Sequence, residues 1–413
     1  MTKIISIECK ISTPMESAKK INQALKEGMW VEIVSLNQKN IAIPENLLPQ
    51  GPGIIIGSSG STGGPQQCLH PFLNLQQSAF ATKEWLLRQN IEPKHCQIIN
   101  TLPIHHTSGL MAWWRSLSWE ANHKWINPNL MKNPFELEHS FKSIFQSNER
   151  QLLTSLVPTQ LIRLLKHSSG IKWLQSFSVI WVGGSSLSPK IANIARKHGI
   201  RLAPCYGATE TMAMVTALTP EDFLKGGTDS GCPLIDVELR LGNNNALEVR
   251  TPRLAIAKWV NGQIQHIVNK DGWWQSGDYA EIILEKELQK LTILGRLDNA
   301  INSGGETIFP DKLQDNLLEA AQKANLPIEQ ILLTSIANEE WGERIVALVR
   351  FKEKYKYELL SSIIMKMKKL VDTWPPAERP IAWYHCEKLK MNDFGKWEYQ
   401  KWQEWITTQT EII

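Results

Sequence analysis

Hydrophobic and polar positions alternate most legibly between Phe177 and Glu210. Ser178 to Val182 read as a short buried strand, and Gly183 with Gly184 permit a tight turn after it. Ser188 followed by Pro189 has the form of an N-cap with proline at the first helical position. Ile191, Ile194 and Ala195 then supply one inward helical face, Gly199 falls where a left-handed C-terminal cap belongs, and a second strand begins near Arg201. Strand, helix and strand in that order predict a layered α/β sheet. Upstream, Gly53 to Ile56 form another apolar strand that runs directly into GSSGSTGGP, so a glycine-rich loop leaves the end of a buried strand.

Further along, a strand pair is predicted from Ala280 to Leu294, with a domain boundary near Leu297 and Asp298. Beyond it the pattern becomes an α+β alternation. It comprises a helix from Asp311 to about Lys323, strands near Ile331 and Ile345, a helix from Glu358 to Val371 and a strand near Ile381. The expectation is a large layered α/β domain over 1–297 and a smaller α+β domain over 298–413, joined by a short hinge, as suits a chain of 413 residues. No internal repeat or low-complexity linker interrupts it.

Composition narrows the function classes. Hydrophobic residues make up 42% and charged ones 21%, which suits a folded chain. The net charge of +4 is small for this length, and no basic run is dense enough for a nucleic-acid footprint; Lys366 to Lys369 read as a solvated helix face. Six cysteines stand singly, without metal spacing, which suits a reducing compartment. The amino terminus has no secretory pattern and no apolar run approaches the ~20 residues of a membrane span, so a cytoplasmic protein is expected. The seventeen tryptophans follow no fixed period and read as packing. A homo-oligomer is possible.

Five stretches carry chemistry. In Gly57 to Pro65, bare amides and small hydroxyls suit polyphosphate oxygens, with a flexible linker as the alternative; Gly63 and Gly64 lead into Pro65 and Gln66, so the loop is not a Walker A. In YGATE, Tyr206 to Glu210, the threonine can bond a phosphate oxygen and the glutamate can hold magnesium, while an N-cap with a first-turn acid is an equal alternative. Ser276, Gly277 and Asp278 place an acid at a strand end, where it could accept two ribose hydroxyls or merely close a turn. GRLDNAINSGGETIFP from Gly295 and NDFGK from Asn392 complete the set, the latter with a loop lysine.

The order of these elements resembles the acyl-CoA synthetase and adenylation-domain superfamily over most of the chain. GSSGSTGGP looks like its phosphate loop, LPIHHTSGL at Leu102 to Leu110 like its substrate-side segment, and YGATE like its signature. Within the superfamily, WVGGSSLSPKIANIARKHGIRLAPCYGATET looks most like a compact version of the 2-succinylbenzoate-CoA ligase branch of menaquinone and phylloquinone synthesis. The resemblance implies ATP, Mg2+ and CoA, a small carboxylic acid, and an acyl adenylate passed to a thiol. It implies that Ser59, Ser61, Thr62 and Gly63 contact the phosphates and that Gly183, Gly184, Ser185 and Tyr206 line the adenine. Thr209 would bond the α-phosphate, Glu210 would hold magnesium, Asp278 would bind the ribose, Arg296 would reach the ribose or phosphate side, and Lys396 would reach the α-phosphate. His106, Ser108, Gly109 and Gly207 would face the acid, Asp298 would be the hinge, and Gly304 and Gly305 would border the CoA channel.

The chain departs from that pattern in two places. Gly64 and Gln66 stand where the superfamily usually carries loop lysines, and only 56 residues precede the loop, so the amino-terminal part is shortened. His106 could equally be a hydrogen-bonded core histidine. A CoA ligase for another acid, a domain that loads a carrier protein and a non-catalytic nucleotide-binding relative also fit the letters.

Overall fold

The computed structural model describes residues 3–36, 43–58, 66–147, 150–352, 360–391 and 397–409. The chain divides into two compact units. The first holds Met1–Gly242, Leu247–Ser276 and Glu281–Thr292, and the second Asn243–Ala246, Gly277–Ala280 and Ile293–Ile413.

In chain order the first unit begins with β1 (Ile4–Cys9), α1 (Pro14–Lys26), β2 (Trp30–Ser35), β3 (Gly53–Ser58), β4 (Gln66–Pro71) and α2 (Phe72–Leu87). It continues with β5 (Cys96–Asn100), α3 (Thr107–Trp119), β6 (Asn122–Trp125), α4 (Pro134–Ser147), β7 (Gln151–Leu156), α5 (Pro158–Leu165), α6 (Ser168–Gln175), β8 (Val179–Val182), α7 (Pro189–Lys197), β9 (Leu202–Ala208) and β10 (Ala213–Ala217). Next come α8 (Pro220–Leu224), β11 (Cys232–Pro233), β12 (Glu238–Leu241), β13 (Ala246–Arg250), β14 (Ala257–Val260) and β15 (Gln263–Gln265).

These strands build a six-stranded sheet in the order β1-β2-β3-β4-β14-β15 and a seven-stranded sheet in the order β11-β10-β9-β8-β7-β5-β6. The residues before the glycine-rich loop form three parallel strands, with Ile7 opposite Ile33 and Ile33 opposite Ile56. Helix α3 lies between the sheets. Its Leu110, Met111, Trp113 and Trp114 pack with Ile33, Ile54 and Ile56, while the helix also touches β5, β7 and β10. A separate core joins α5 to α7 with the second sheet, through Leu161, Trp173, Ala192, Ile180 and Leu202.

The local signals around α7 act as their chemistry requires. Ser188 Oγ accepts from Ile191 N at 3.4 Å, and Gly199 takes φ +62° at the end of the helix.

Two strands, β16 (Trp274–Glu285) and β17 (Leu288–Arg296), contribute residues to both units. The second unit continues with β18 (Ile301–Ser303), β19 (Glu306–Ile308), α9 (Pro310–Lys323), β20 (Ile328–Asn338), β21 (Gly342–Phe351), α10 (Leu360–Val371), β22 (Ala382–His385) and α11 (Tyr399–Ile406). Strands β20 and β21 alternate beyond a register shift between Ile328 and Gln330. Ile331, Leu333, Ile345 and Ala347 face α9 and α10, whereas Leu332, Val346 and Leu348 face Trp402 and Ile406 of α11.

One expectation needs correction. The strand pair starts at Trp274 rather than Ala280, so Ser276, Gly277 and Asp278 lie inside β16 and not at a strand end or in a turn. Gly277 at φ +77° reads as a turn letter, yet the extended pattern continues on both sides of it. The helix expected from Glu358 begins, among the described residues, at Leu360; 353–359 lie outside them.

Trp30, Trp173 and Trp383 are among the largest fully buried side chains, as packing predicts. All six cysteines are free, and burial pushes the Cys205 thiol up to about 12, which leaves it a packing group. Among the described residues, no helix is long and apolar enough to cross a membrane.

The most buried charge is Arg253. Its guanidinium is fully enclosed and pairs with the nearly buried Asp236, Nε to Oδ2 at 2.9 Å and Nη2 to Oδ1 at 3.2 Å. Three further donations go to Ser78 Oγ (3.2 Å), Thr211 O (3.4 Å) and Met214 O (2.9 Å). Asp236→Leu would strand this charge, and urea unfolding should register a loss of about 3 to 5 kcal/mol, whereas Asp236→Leu with Arg253→Met should lose less than the sum of the singles.

Acid should loosen this unit. Burial lowers His70 and His123 to about 4 and His106 to about 3, from an unfolded value near 6.5. Between pH ~6.5 and ~4 the unfolded chain binds more protons than the folded one, so stability falls as pH falls through that window. Unfolding midpoints compared at pH 7.5, 6 and 5 should show this slope, and His123→Gln should make it shallower.

Candidate nucleotide and acid site

Ser59, Ser61, Thr62 and Gly63 lie outside the described residues, as does Lys396. On either side of 59–65 the chain is ordered into a hairpin, with Ser58 opposite Gln66 and Ile56 opposite Cys68. The loop thus joins two antiparallel strands, and β4 leads straight into α2.

The parallel neighbours β8 and β9 bring two of the other stretches together. Gly183, Gly184 and Ser185 follow the carboxyl end of β8, and Tyr206, Gly207 and Ala208 close β9. Gly184 takes φ +94°, and a Cβ on Gly183 would sit 3.1 Å from Cys205 Sγ. Strand β9 leads through a tight turn into antiparallel β10, not into a helix, so Thr209 and Glu210 are neither an N-cap nor a first-turn acid.

That turn is strained. Met212 and Ala213 take φ +47° and +90°, values that L-residues avoid, and a Cβ on Gly207 would approach Ala213 O to 2.4 Å. A polar network fastens it. Thr211 Oγ1 accepts from Ala208 N (3.0 Å) and donates to Ala213 O (2.7 Å), Ser78 Oγ donates to Met212 O (2.6 Å), and Ala255 N donates to Glu210 O (2.8 Å).

His70 completes the network and fixes its own tautomer. Its Nε2 lies 2.8 Å from Thr209 O, which can only accept, so Nε2 carries the proton; Nδ1 then accepts from Asn74 Nδ2 at 3.0 Å. Asn74 Nδ2 also reaches Arg253 O and Leu254 O. A neutral imidazole is required for both bonds, in keeping with the fall of its pKa to about 4 on burial.

The Glu210 carboxylate is mostly buried and meets Lys258 Nζ at 2.5 Å. Among the described residues no three acidic, histidine or cysteine groups gather as a metal cage. A single carboxylate fits magnesium, which keeps several waters and takes one or two protein oxygens plus substrate phosphates.

On the acid side, His106 occupies the residue before α3, with its ring 4.3 Å from that of His105, and Ser108 is exposed on the first turn. Gly109 is required by close approach, since a Cβ there would meet Pro103 O at 2.1 Å, and its own carbonyl accepts from Asn100 Nδ2 at 2.9 Å. Two turns along, Arg115 is buried with no partner for Nε or Nη2 among the described residues. Burial, and then the neighbouring Arg253 charge, lower it to about 9, and its guanidinium sits 5.5 Å from the Trp181 ring.

In the second unit Arg296 bridges two acids, Nη1 to Asp278 Oδ1 at 3.3 Å and Nη2 to Asp298 Oδ2 at 2.5 Å. Asp298 lies on the short 3-10 turn Leu297–Asn299. Gly304 and Gly305, at φ +60° and +85°, form the turn between β18 and β19, and a Cβ on Gly304 would strike the Trp341 ring.

The sequence reading missed His70, Asn74, Ser78, Arg253 and Asp236 as supports of the YGATE turn, and Lys258 and Arg115 as buried cations. An arginine or lysine within an apolar stretch, as in WWRSL and AIAKWV, is the signal that marks the cations.

The 2-succinylbenzoate–CoA ligase of Escherichia coli K12 is 29% identical over 352 residues, covering 85% of this chain and 68% of that protein. The indoleacetate–CoA ligase of Aromatoleum aromaticum is 27% identical over 341 residues, covering 78% and 62%. In fold, the chain is similar to the Bacillus subtilis o-succinylbenzoate CoA synthetase in complex with its acyl-adenylate intermediate, with a TM-score of 0.75 at 17% identity, covering 97% of this chain and 88% of that one. The adenylate-forming fold expected from the sequence is therefore the fold observed. The family model described as AMP-binding enzyme matches residues 6–262, and the chain belongs to that family.

Proposed function

We propose that the protein is an ATP-dependent acid–CoA ligase that converts 2-succinylbenzoate, ATP and CoA to 2-succinylbenzoyl-CoA, AMP and pyrophosphate, in quinone biosynthesis. The observation that carries this reading is the strand-end cluster, in which Gly183 to Ser185 and the braced Tyr206–Glu210 turn lie side by side within an AMP-binding enzyme. Relatives from Escherichia coli and Haemophilus influenzae are 2-succinylbenzoate–CoA ligases, which supports the choice of acid.

The acid carboxylate attacks the α-phosphorus of ATP, and the bond to pyrophosphate breaks. No general base is needed, because the carboxylate is already ionised near neutral pH. Thr209 donates to an α-phosphate oxygen and Lys396 stabilises the charge that develops there, worth about 3 to 4 kcal/mol by analogy with oxyanion donors. Ser59, Ser61, Thr62 and Gly63 hold the phosphates, Gly183 to Ser185 and Tyr206 flank the base, and Asp278 with Arg296 takes the ribose. Glu210 would hold magnesium, which would supply positive charge to the polyphosphate oxygens. His106, Ser108, Gly109 and Gly207 line the acid's approach. The CoA thiol then displaces AMP beside Gly304 and Gly305, with Asp298 as hinge.

Arg115 supports a dicarboxylic acid. Buried guanidinium nitrogens without hydrogen-bond partners are costly, and a second substrate carboxylate would supply a partner to Arg115 Nε and Nη2. Indoleacetate, the substrate named for another relative, has no second carboxylate to offer.

The deciding experiment measures pyrophosphate exchange into ATP and AMP release across a panel of carboxylic acids, with and without CoA. Exchange should depend on 2-succinylbenzoate, and Lys396→Ala should abolish it while a preformed adenylate still yields thioester; exchange without any acid dependence, or equal loss of both half-reactions, overturns the scheme. A second expectation concerns Arg115→Met. KM for 2-succinylbenzoate should rise about tenfold or more with KM for ATP unchanged, while the melting temperature rises, since the variant removes an unpaired buried charge.

A further inference from the structure

Lys258 belongs to no stretch that the sequence singled out. In the antiparallel pair of β14 with β4, Lys258 stands opposite Cys68, so it shares a sheet face with Gln66, Cys68 and His70. Its ammonium meets the Glu210 carboxylate at 2.5 Å, with the two side chains only 20% and 11% exposed. Both charges are felt at the buried Cys68 thiol, where Glu210 raises the pKa and Lys258 lowers it, and the Glu210 charge is also felt at His70.

The carboxylate proposed to hold magnesium is therefore already neutralised by a side chain. Breaking so enclosed a pair leaves two poorly solvated ions, which is unfavourable unless each finds a new partner. A divalent ion at Glu210 provides one of them. The displaced ammonium needs the other, and an anion is required nearby.

The polyphosphate tail meets that need. Strand β4 begins at Gln66, directly after the glycine-rich loop, and Gln66 brings no charge. From Cys68 to Gln66 is two residues along an extended strand, about 7 Å, and the four-carbon stem of a lysine spans about 6 Å. Lys258 can thus turn from Glu210 to the head of β4 without any movement of the sheet.

We propose that Lys258 is an exchangeable counter-ion of the nucleotide site: it neutralises Glu210 in the nucleotide-free protein and pairs with the polyphosphate of ATP once magnesium takes that carboxylate. Lys258 is then a residue that discriminates ATP and pyrophosphate from AMP. The inference rests on the ATP-dependent reading above, but not on the identity of the acid.

Calorimetric binding of Mg–ATP, pyrophosphate and AMP to Lys258→Met and Lys258→Arg tests it without turnover. Lys258→Met should weaken Mg–ATP and pyrophosphate by about tenfold or more and leave AMP within about twofold, and Lys258→Arg should restore most of the loss. Manganese, followed by its spin resonance in nucleotide-free protein, should bind Lys258→Met more tightly than the wild type, because Glu210 is released. Equal weakening of ATP and AMP, or unchanged manganese binding, would make Lys258 a structural residue and overturn the proposal. A wild-type protein that binds neither nucleotide would instead overturn the ligase reading, and this inference with it.

Discussion

The buried guanidinium of Arg253 is the contact on which the site depends. The turn that carries Thr209 and Glu210 places Met212 and Ala213 in left-handed backbone, at an expected cost of about 1 to 3 kcal/mol each. Arg253 donates to the carbonyls of Thr211 and Met214, on either side of those residues, and hydrogen bonds from a charged donor contribute about 1.5 to 3 kcal/mol each. The two magnitudes match, so the strained turn persists while Arg253 is held. Asp236 holds it, by neutralising a charge that burial alone would disfavour.

Around that ion pair the bracing is neutral and directional. His70, Asn74 and Ser78 stand one helical turn apart, from the end of β4 into α2, and reach the turn at Thr209, the 253–254 carbonyls and Met212. Asn74 and Ser78, four residues apart, share one face of α2, and His70 stands two residues before that helix on β4, so a strand end and the helix it enters brace these points together. His70 can serve only as a neutral Nε2–H tautomer, since a protonated ring could not accept from Asn74. Its burial is thus part of its function.

Much of this architecture was legible in the residues. The Ser188 cap, Gly199, and the alternation of β20 and β21 obey short-range rules, and the five chemistry-bearing stretches stood out by their letters. Pairings between distant segments were not legible. Lys258 meets Glu210 because β14 inserts beside β4, and no local periodicity encodes that sheet order. Arg253 meets Asp236 because β12 and β13 pair antiparallel and bring their flanking residues together. The reading of Ser276 to Asp278 as a strand end failed on a single glycine, whose positive φ is absorbed within a long strand rather than spent on a turn. The N-cap alternative for Thr209 failed because the strand after it runs antiparallel, which the threonine and acid cannot announce.

Two buried arginines and the part-buried Lys258, among the described residues, then distribute the electrostatic labour of the first unit. Arg253 has a permanent carboxylate, Lys258 has one that a metal can claim, and Arg115 has none among the described residues. Arg253 is compensated within the chain, whereas under the proposals above the charges of Lys258 and Arg115 are ones that substrates would help to balance. These contacts act differently on rate. An anion that met Arg115, as proposed, would do so equally before and during reaction, so that contact would govern which acid binds and not how fast it reacts. Charge on the α-phosphate oxygens grows only as the new bond forms, and Thr209 and Lys396 are proposed to answer that growth. Selectivity for the acid and acceleration of its activation are therefore separable in this chain, because one is assigned to a charge the substrate brings and the other to a charge the reaction makes.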